Sequence, residues 1–431
     1  MKDALALLGG KKNIQKEFPK YNPIGKEEQM AVASVMESGV LSKYIGAWHE
    51  DWCGGPKVKE FENECKKFFK VRHAVTVNSW TSGLVAAIGA IGIEPGDEVI
   101  VTPWTMSASA TAILHWNAIP VFADIDMQTY NLNPESIRKN ITDQTKAIMV
   151  ADIFGLSADM DKINSIAKEF DLKVISDAAQ APGAIYKNSL AGTLADIGGF
   201  SLNYHKHIHT GEGGILVTND DDYANRLRLI RNHAEVVVAD KNFGGLENMI
   251  GHNFRLGEIE SAIGIEQLKK LNDLVSSRQA LAKRLTDGLS SLEGLVTPYI
   301  PSDQTSTYYV YPLQIDPKKI SVDKDLICKA LNAEGFVIAN RYQNIHLLPI
   351  YQEKIAYGSN GFPWTSDICK RDVKYEKGIC PNAEKLNDEL YMGFGLCNFD
   401  WSFDDIDIII GTFKKVWNNL SELETYAKQT K

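Results

Sequence analysis

The chain of 431 residues has no long apolar run, no block of clustered lysine and arginine, no paired-cysteine signature and no low-complexity tract. Each absence excludes a class of protein. A membrane-spanning helix needs about 20 consecutive apolar residues, and none occurs; the apolar run in MKDALALLGGKK is too short for a secretory signal, so a cytoplasmic, non-membrane protein is expected. A formal net charge of -9 without a basic cluster argues against nucleic acid as a partner, because neutralising phosphates requires concentrated positive charge. A small anion in a local pocket remains compatible. The six cysteines, Cys53, Cys65, Cys328, Cys369, Cys380 and Cys397, contain no CxxC pair and read as reduced thiols. Cys369, Cys380 and Cys397 lie near enough in sequence to keep a metal or disulfide as a minor alternative, but no metal is expected.

What is present is an ordinary globular composition, 44% hydrophobic and 23% charged, in a chain long enough for two domains. Apolar, β-rich runs alternate with helical patterns: Ala74 to Val77, Glu98 to Thr102, Pro120 to Ala123, Ala147 to Ile153, Lys173 to Ser176 and Ile215 to Thr218 are read as strands. Helices are read from Lys26 to Gly39, Val58 to Phe69, Ala158 to Phe170, Asp221 to Asn232 and Gly257 to Leu292. Near-continuous apolar strands with helical crossovers imply a mostly parallel sheet covered on both faces, an α/β fold. From Thr305 the pattern changes. The run TYYVYPLQI reads as a strand, Asp323 to Glu334 as a helix and Asp404 to Tyr426 as one long closing helix. This divides the chain into a large α/β domain, residues 1–290, and a smaller C-terminal α+β domain, residues 291–431. The stretch Leu347 to Pro381, rich in Gly, Pro, Trp and charge, has little periodicity and reads as an irregular excursion.

Chemistry-bearing residues gather after strands. Asn78-Ser79-Trp80-Thr81-Ser82-Gly83 follows a strand and opens a helix, where free N–H groups and hydroxyls suit a phosphate, although Ser and Thr are also ordinary N-caps. Asp177 ends the run Val174-Ile175-Ser176-Asp177 and can face a cationic ring nitrogen or cap the next turn. Trp104, in Pro103-Trp104-Thr105, can stack on a planar group or simply pack. Gly251-His252-Asn253-Phe254-Arg255 is a polar approach to a long helix. Lys206, between an apolar run and the glycine turn Gly211 to Gly214, is placed for imine chemistry, since a buried amine can be neutral near pH 7; its plain alternative is a solvated cation. His205, His207 and His209 alternate, which on a strand would place three imidazoles on one face in a metal-like pattern.

Taken jointly, LALLGG, GGPKVKEFE, EPGDEVIVTPWT, PVFADID, SDAAQAPGA, FSLNYHKHIHTGEGGILVTND and GHNFRLGEIESAIG follow the order of the DegT/DnrJ/EryC1/StrS sugar aminotransferases, fold-type I pyridoxal phosphate enzymes, and the chain resembles that family over nearly its whole length. The resemblance implies that Lys206 forms the internal aldimine with pyridoxal 5'-phosphate and moves the proton between carbons. It implies that Asp177 pairs with the pyridinium nitrogen, Gln180 lies near the ring hydroxyl and Trp104 stacks on the ring. Thr81, Ser82 and Ser201 would bind the phosphate, and Asn253 would reach the phosphate in the neighbouring subunit of a homodimer. The implied reaction moves an amino group, with glutamate as donor, to a keto sugar, usually nucleotide-linked. The chain departs at Trp80, where the family's turn carries glycine. A sugar dehydratase of the same fold is the main alternative, but that branch carries histidine in place of the lysine. A non-catalytic regulator is a further alternative, opposed by Lys206, Asp177 and Gln180 occurring together. Trp48, Trp52, Arg341, His346 and the Leu347 to Pro381 excursion are expected to shape substrate choice.

Overall fold

The structure is a computed structural model that describes residues 4–234 and 249–430. Its centre is a sheet of seven strands: β1 (His73–Val77), β2 (Glu98–Val101), β3 (Ile119–Phe122), β4 (Thr145–Ala151), β5 (Lys173–Asp177), β8 (Ile197–Ser201) and β9 (Gly214–Thr218), with a short ribbon, β6 (Ile185–Tyr186) and β7 (Ser189–Leu190), beside it. Spatial order is β1-β9-β8-β5-β4-β2-β3. All run parallel except β9, which pairs antiparallel with both β1 and β8.

The apolar strands are continuous because both faces are covered. Val99, Val101, Met149 and Ile175 look into one core, beneath α3 (Trp80–Ala90), α4 (Ala108–His115) and α7 (Asp221–Arg231). Ile100, Ile148, Val150 and Val174 face the other way, onto α6 (Met160–Glu169). At the β1, β9 and β8 end that second face is covered by α2 (Pro56–Phe69) and the first half of α8 (Glu258–Leu289), through Phe61, Phe69, Phe200, Ile215 and Leu268. The period-two alternation within each strand is the reason one run of apolar residues serves two layers.

A second core surrounds a three-stranded antiparallel sheet, β10 (Leu295–Val296), β11 (Val310–Ile315) and β12 (Tyr391–Gly395). Leu281, Leu285 and Leu289, the last turns of α8, pack into it with α9 (Lys324–Ala333) and α10 (Phe403–Asn418). The two cores do not divide at one point in the chain. Leu5 and Ile14 pack in the second, whereas Tyr351, Trp364, Val373, Tyr375 and Cys380 pack in the first. The irregular Leu347 to Pro381 stretch is thus an adhesive surface along the sheet edge: Tyr375 Oη donates to Pro120 O at 2.7 Å, Trp364 Nε1 donates to Tyr375 Oη at 2.9 Å, and Arg371 Nε lies 3.2 Å from Glu98 Oε1.

Two local expectations change. The single closing helix is two, α10 and α11 (Leu420–Thr430), parted at Asn419, whose side-chain amide donates to Lys415 O at 2.8 Å and competes with the backbone ladder. The strand β8, sequence IGGFS, has two glycines and a single β-branched residue, Ile197, so it gives little strand signal in the sequence.

Candidate active site

The parallel strands all present their C-terminal ends to one side, and a cavity of about 760 Å³ opens there, at the crevice where α/β sheets bind ligands. β1 delivers Ser79, Trp80 and Thr81; β4 delivers Asp152; β5 delivers Asp177 and Gln180; β8 delivers Ser201 and, through the following turn, Lys206. The side chains that lie scattered over 128 positions of sequence meet because each follows a strand of the same sheet.

Lys206 is 7% exposed and has its Nζ 4.3 Å from the centre of the Tyr309 ring. Burial pushes its ammonium down to about 8, against the attraction of Asp177. A substantial share of neutral amine near physiological pH follows, which is what attack on a carbonyl carbon needs. The surrounding backbone is a series of turns, so the three histidines do not share a strand face. His205 lines the cavity and is pushed down to about 4 by burial and by Lys206; His207 is fully buried with Nε2 2.9 Å from Thr307 O; His209 Nδ1 accepts from Gly211 N at 3.3 Å.

Asp177 is held from several sides. Trp80 Nε1 donates to its Oδ1 at 2.7 Å, Ala179 N donates to Oδ1 at 3.3 Å, and Ser109 Oγ donates to Oδ2 at 2.7 Å. A carboxylate offers about four lone-pair directions, so Oδ2 keeps one for a further donor. Gln180 lines the same cavity; its Oε1 accepts from Phe154 N at 2.8 Å and its Nε2 donates to Tyr342 Oη at 3.4 Å. Burial raises the neighbouring Asp152 to about 7, making it a protonatable group in the cavity wall.

The N-terminus of α3 is the candidate anion cradle. Ser79 caps it, its Oγ accepting from Ser82 N at 3.1 Å, while Thr81 and Ser201 line the cavity. The Ser82 hydroxyl instead turns onto Ser79 Oγ at 2.9 Å, so Ser79 is the better placed of the pair. Trp104 needs a larger correction. Its ring is fully buried, its Nε1 donates to Asn344 Oδ1 at 2.6 Å and it stacks on Tyr130 at 5.8 Å, so it offers no face to the cavity. The indole at the cavity is Trp80, which follows β1 at the other end of the sheet and opens α3. Asn253 stands outside the cavity, its O accepting from Asn78 Nδ2 at 3.4 Å. Arg341 lines the cavity; His346 is buried against Glu384 Oε1 at 3.0 Å, and neither Trp48, Trp52 nor any described residue of the Leu347 to Pro381 stretch lines it. Ser109 and Tyr309 were invisible in sequence, since a serine inside a helix and a tyrosine in a YY pair carry no pattern.

A carboxylate, a buried low-affinity lysine and a helix N-terminus around one cavity are the donor set of a pyridoxal phosphate site, and comparison with known proteins agrees. The profile of the DegT/DnrJ/EryC1/StrS aminotransferase family matches residues 24–378. The chain belongs to this family. It is 36% identical to the spore coat polysaccharide biosynthesis protein SpsC of Bacillus subtilis (strain 168), over 81% of this chain and 89% of that one. It is 35% identical to GDP-perosamine synthase of Caulobacter vibrioides, over 69% and 79% of the respective chains. Among solved structures it is similar to a GDP-4-keto-6-deoxymannose-3-dehydratase with a trapped PLP-glutamate geminal diamine, with 27% identity, a TM-score of 0.73 and coverage of 92% of this chain and 100% of that one. The chain is accordingly a pyridoxal phosphate-dependent aminotransferase of the fold-type I class. Its residues fit the cofactor: Ser79, Thr81 and Ser201 would hold the phosphate, the remaining acceptor direction on Asp177 the ring nitrogen, and Lys206 the carbonyl carbon. When bound, the cofactor supplies the electron sink and carries the amino group between substrates. Lys206 would be the base available at the cavity for moving a proton, with the centre of the Tyr309 ring 4.3 Å from its Nζ.

Proposed function

We propose that this aminotransferase moves an amino group from an amino acid, with glutamate the expected donor, to the keto carbon of a sugar carried on a nucleotide, in the cytoplasm. The observation that carries the reading is Lys206 itself, buried in the same 760 Å³ cavity as Asp177 and Gln180 and poised at about 8. The names of the two relatives, one a spore coat polysaccharide biosynthesis protein and one a GDP-perosamine synthase, support a sugar acceptor. The dehydratase among the similar structures keeps that reaction as the second possibility; the family resemblance implies histidine in that branch, so a lysine at position 206 favours transamination. Arg341, at the cavity and paired with Asp325 at 3.2 Å, is the cation available to an anionic substrate.

The same reading takes the active unit as a homodimer, with Asn253 serving the partner's phosphate; its position outside its own cavity supports this. A panel of keto sugars, free and nucleotide-linked, assayed with glutamate and glutamine for amino-sugar formation tests the proposal. Amination of a nucleotide-linked keto sugar is the expected result; loss of a hydroxyl without gain of nitrogen would assign the dehydratase reaction. Mixing Lys206→Ala and Asn253→Ala chains should restore part of the activity if sites are shared, and leave it absent if each chain works alone.

A further inference from the structure

We infer that Trp80 is a positioning residue for the cofactor's ring: its indole N–H, together with Ser109, fixes the plane of the Asp177 carboxylate so that the free acceptor direction of Oδ2 is presented to the cavity. The inference rests on the pyridoxal phosphate chemistry above and concerns this chain's own residues.

Three observations carry it. The first is the hydrogen bonding. A buried tryptophan N–H usually finds a hydrogen-bond partner, and this one finds an acidic side chain, at 2.7 Å. Ser109, from a different helix, takes the other oxygen at 2.7 Å and is itself held by Thr105 Oγ1 at 3.1 Å. Oδ1 has a second donor, Ala179 N, at 3.3 Å, but Trp80 at 2.7 Å is much the shorter, so Trp80 and Ser109, one strong donor on each oxygen, set the rotation about the Cβ–Cγ bond.

The second observation is that the protein makes room for this indole. A Cβ on Gly83 would stand 2.8 Å from Trp80 Cε3 and 2.9 Å from Cζ3; one on Gly199 would stand 2.3 Å from Cζ3 and 2.4 Å from Cη2. Gly199 has a second reason to be glycine, since its Cβ would also meet Ile215 O at 2.2 Å. Gly83 has none: beyond Trp80 its nearest neighbour is Val77 Cγ2 at 3.4 Å, an ordinary contact. A glycine inside a helix is disfavoured, and here the seat of the Trp80 ring accounts for it. The third observation is that Trp80 is at once 6% exposed and part of the cavity wall, so the ring that orients the acid also borders the space the cofactor would fill.

The test compares loaded wild type with Trp80→Phe, which keeps an aromatic ring and removes the N–H. Expected are a fall of about 10-fold in the rate at which glutamate converts the bound cofactor, little change in the glutamate concentration at half-maximal rate, and a displaced pH midpoint for the cofactor's visible band, with an unfolding midpoint lowered by only about 1–3 °C. A folded, loaded Trp80→Phe protein with wild-type rate and pH midpoint would overturn the inference and leave the cofactor assignment standing, whereas a wild type with no band at all would overturn the cofactor assignment itself. If Trp80→Phe does not fold, Gly83→Ala supplies the second arm. It should displace the indole and reproduce the slowed conversion and shifted midpoint with Trp80 itself intact. A folded, loaded Gly83→Ala protein with wild-type rate and pH midpoint would contradict the inference.

Discussion

Burying Lys206 has a thermodynamic consequence that can be measured without any substrate. In the cofactor-free protein the amine is held at about 8, against an ordinary 10.5. At pH 7 both folded and unfolded chains carry the charge, and the folded chain bears the whole penalty of desolvating it, roughly 3 kcal/mol from the linkage relation. Replacing Lys206 by methionine, of similar length and without charge, should therefore stabilise the cofactor-free protein by up to about 3 kcal/mol, a rise of only about 3 °C in melting temperature for a chain of this size. The sign of the pH dependence is fixed. Because the folded value is the depressed one, the penalty is complete below about 8, shrinks as pH rises past it, and vanishes near 10.5, so the advantage of Lys206→Met must fade in that order. Denaturant unfolding of both cofactor-free proteins at a series of pH values from 6.5 to about 10 measures it. Equal stabilities at pH 7, or an advantage that persists undiminished at high pH, would refute the burial argument and with it the reason for expecting a reactive amine.

Other consequences follow from the same contacts. Trp104→Phe removes the donor to Asn344 and should cost about 1–3 kcal/mol of stability, while the visible band of the bound cofactor keeps its position, because that ring does not face the cavity; a shifted band would reinstate Trp104 at the cofactor. Arg231→Met strips a fully buried guanidinium from Glu62, 2.6 Å away, and should cost about 3–5 kcal/mol by leaving the acid unpaired; thermal unfolding reads this directly. Tyr375→Phe leaves Trp364 Nε1 and Pro120 O without their shared partner and should cost about 1–3 kcal/mol with turnover unaltered, since the excursion binds the sheet edge and not the cavity.

The alternation of apolar strands and helical crossovers was legible in sequence because each strand is buried on both faces, which leaves a continuous apolar signature. β8 escaped for the converse reason, its two glycines being set by close neighbours: Gly198 by the Gly192 backbone, Gly199 by Trp80 and Ile215 O. Asp177, Gln180 and Thr81 are readable as residues following strands, Lys206 from the glycine turn behind it and Ser201 from the family's motifs alone, and they do line one cavity. The partners that orient them were not readable. Ser109 and Tyr309 reach the site through helix and domain packing with no local motif, and Trp104 was assigned to the cofactor because a strand-end aromatic looks alike whether its ring turns inward to Asn344 or outward to a ligand. The histidine alternation has no facial meaning here, because a period of two places residues on one face only on a strand, and the Lys206 segment is turns.

The account rests on Lys206 and one bound cofactor turning over an amino group, and a single-turnover spectrum tests that most directly. Purified protein loaded with pyridoxal phosphate should show a visible band that is absent in Lys206→Ala, glutamate should bleach it in a single phase, and a keto sugar added afterwards should restore it. A band identical in Lys206→Ala, or one that no amino-acid donor bleaches, would contradict the central claim.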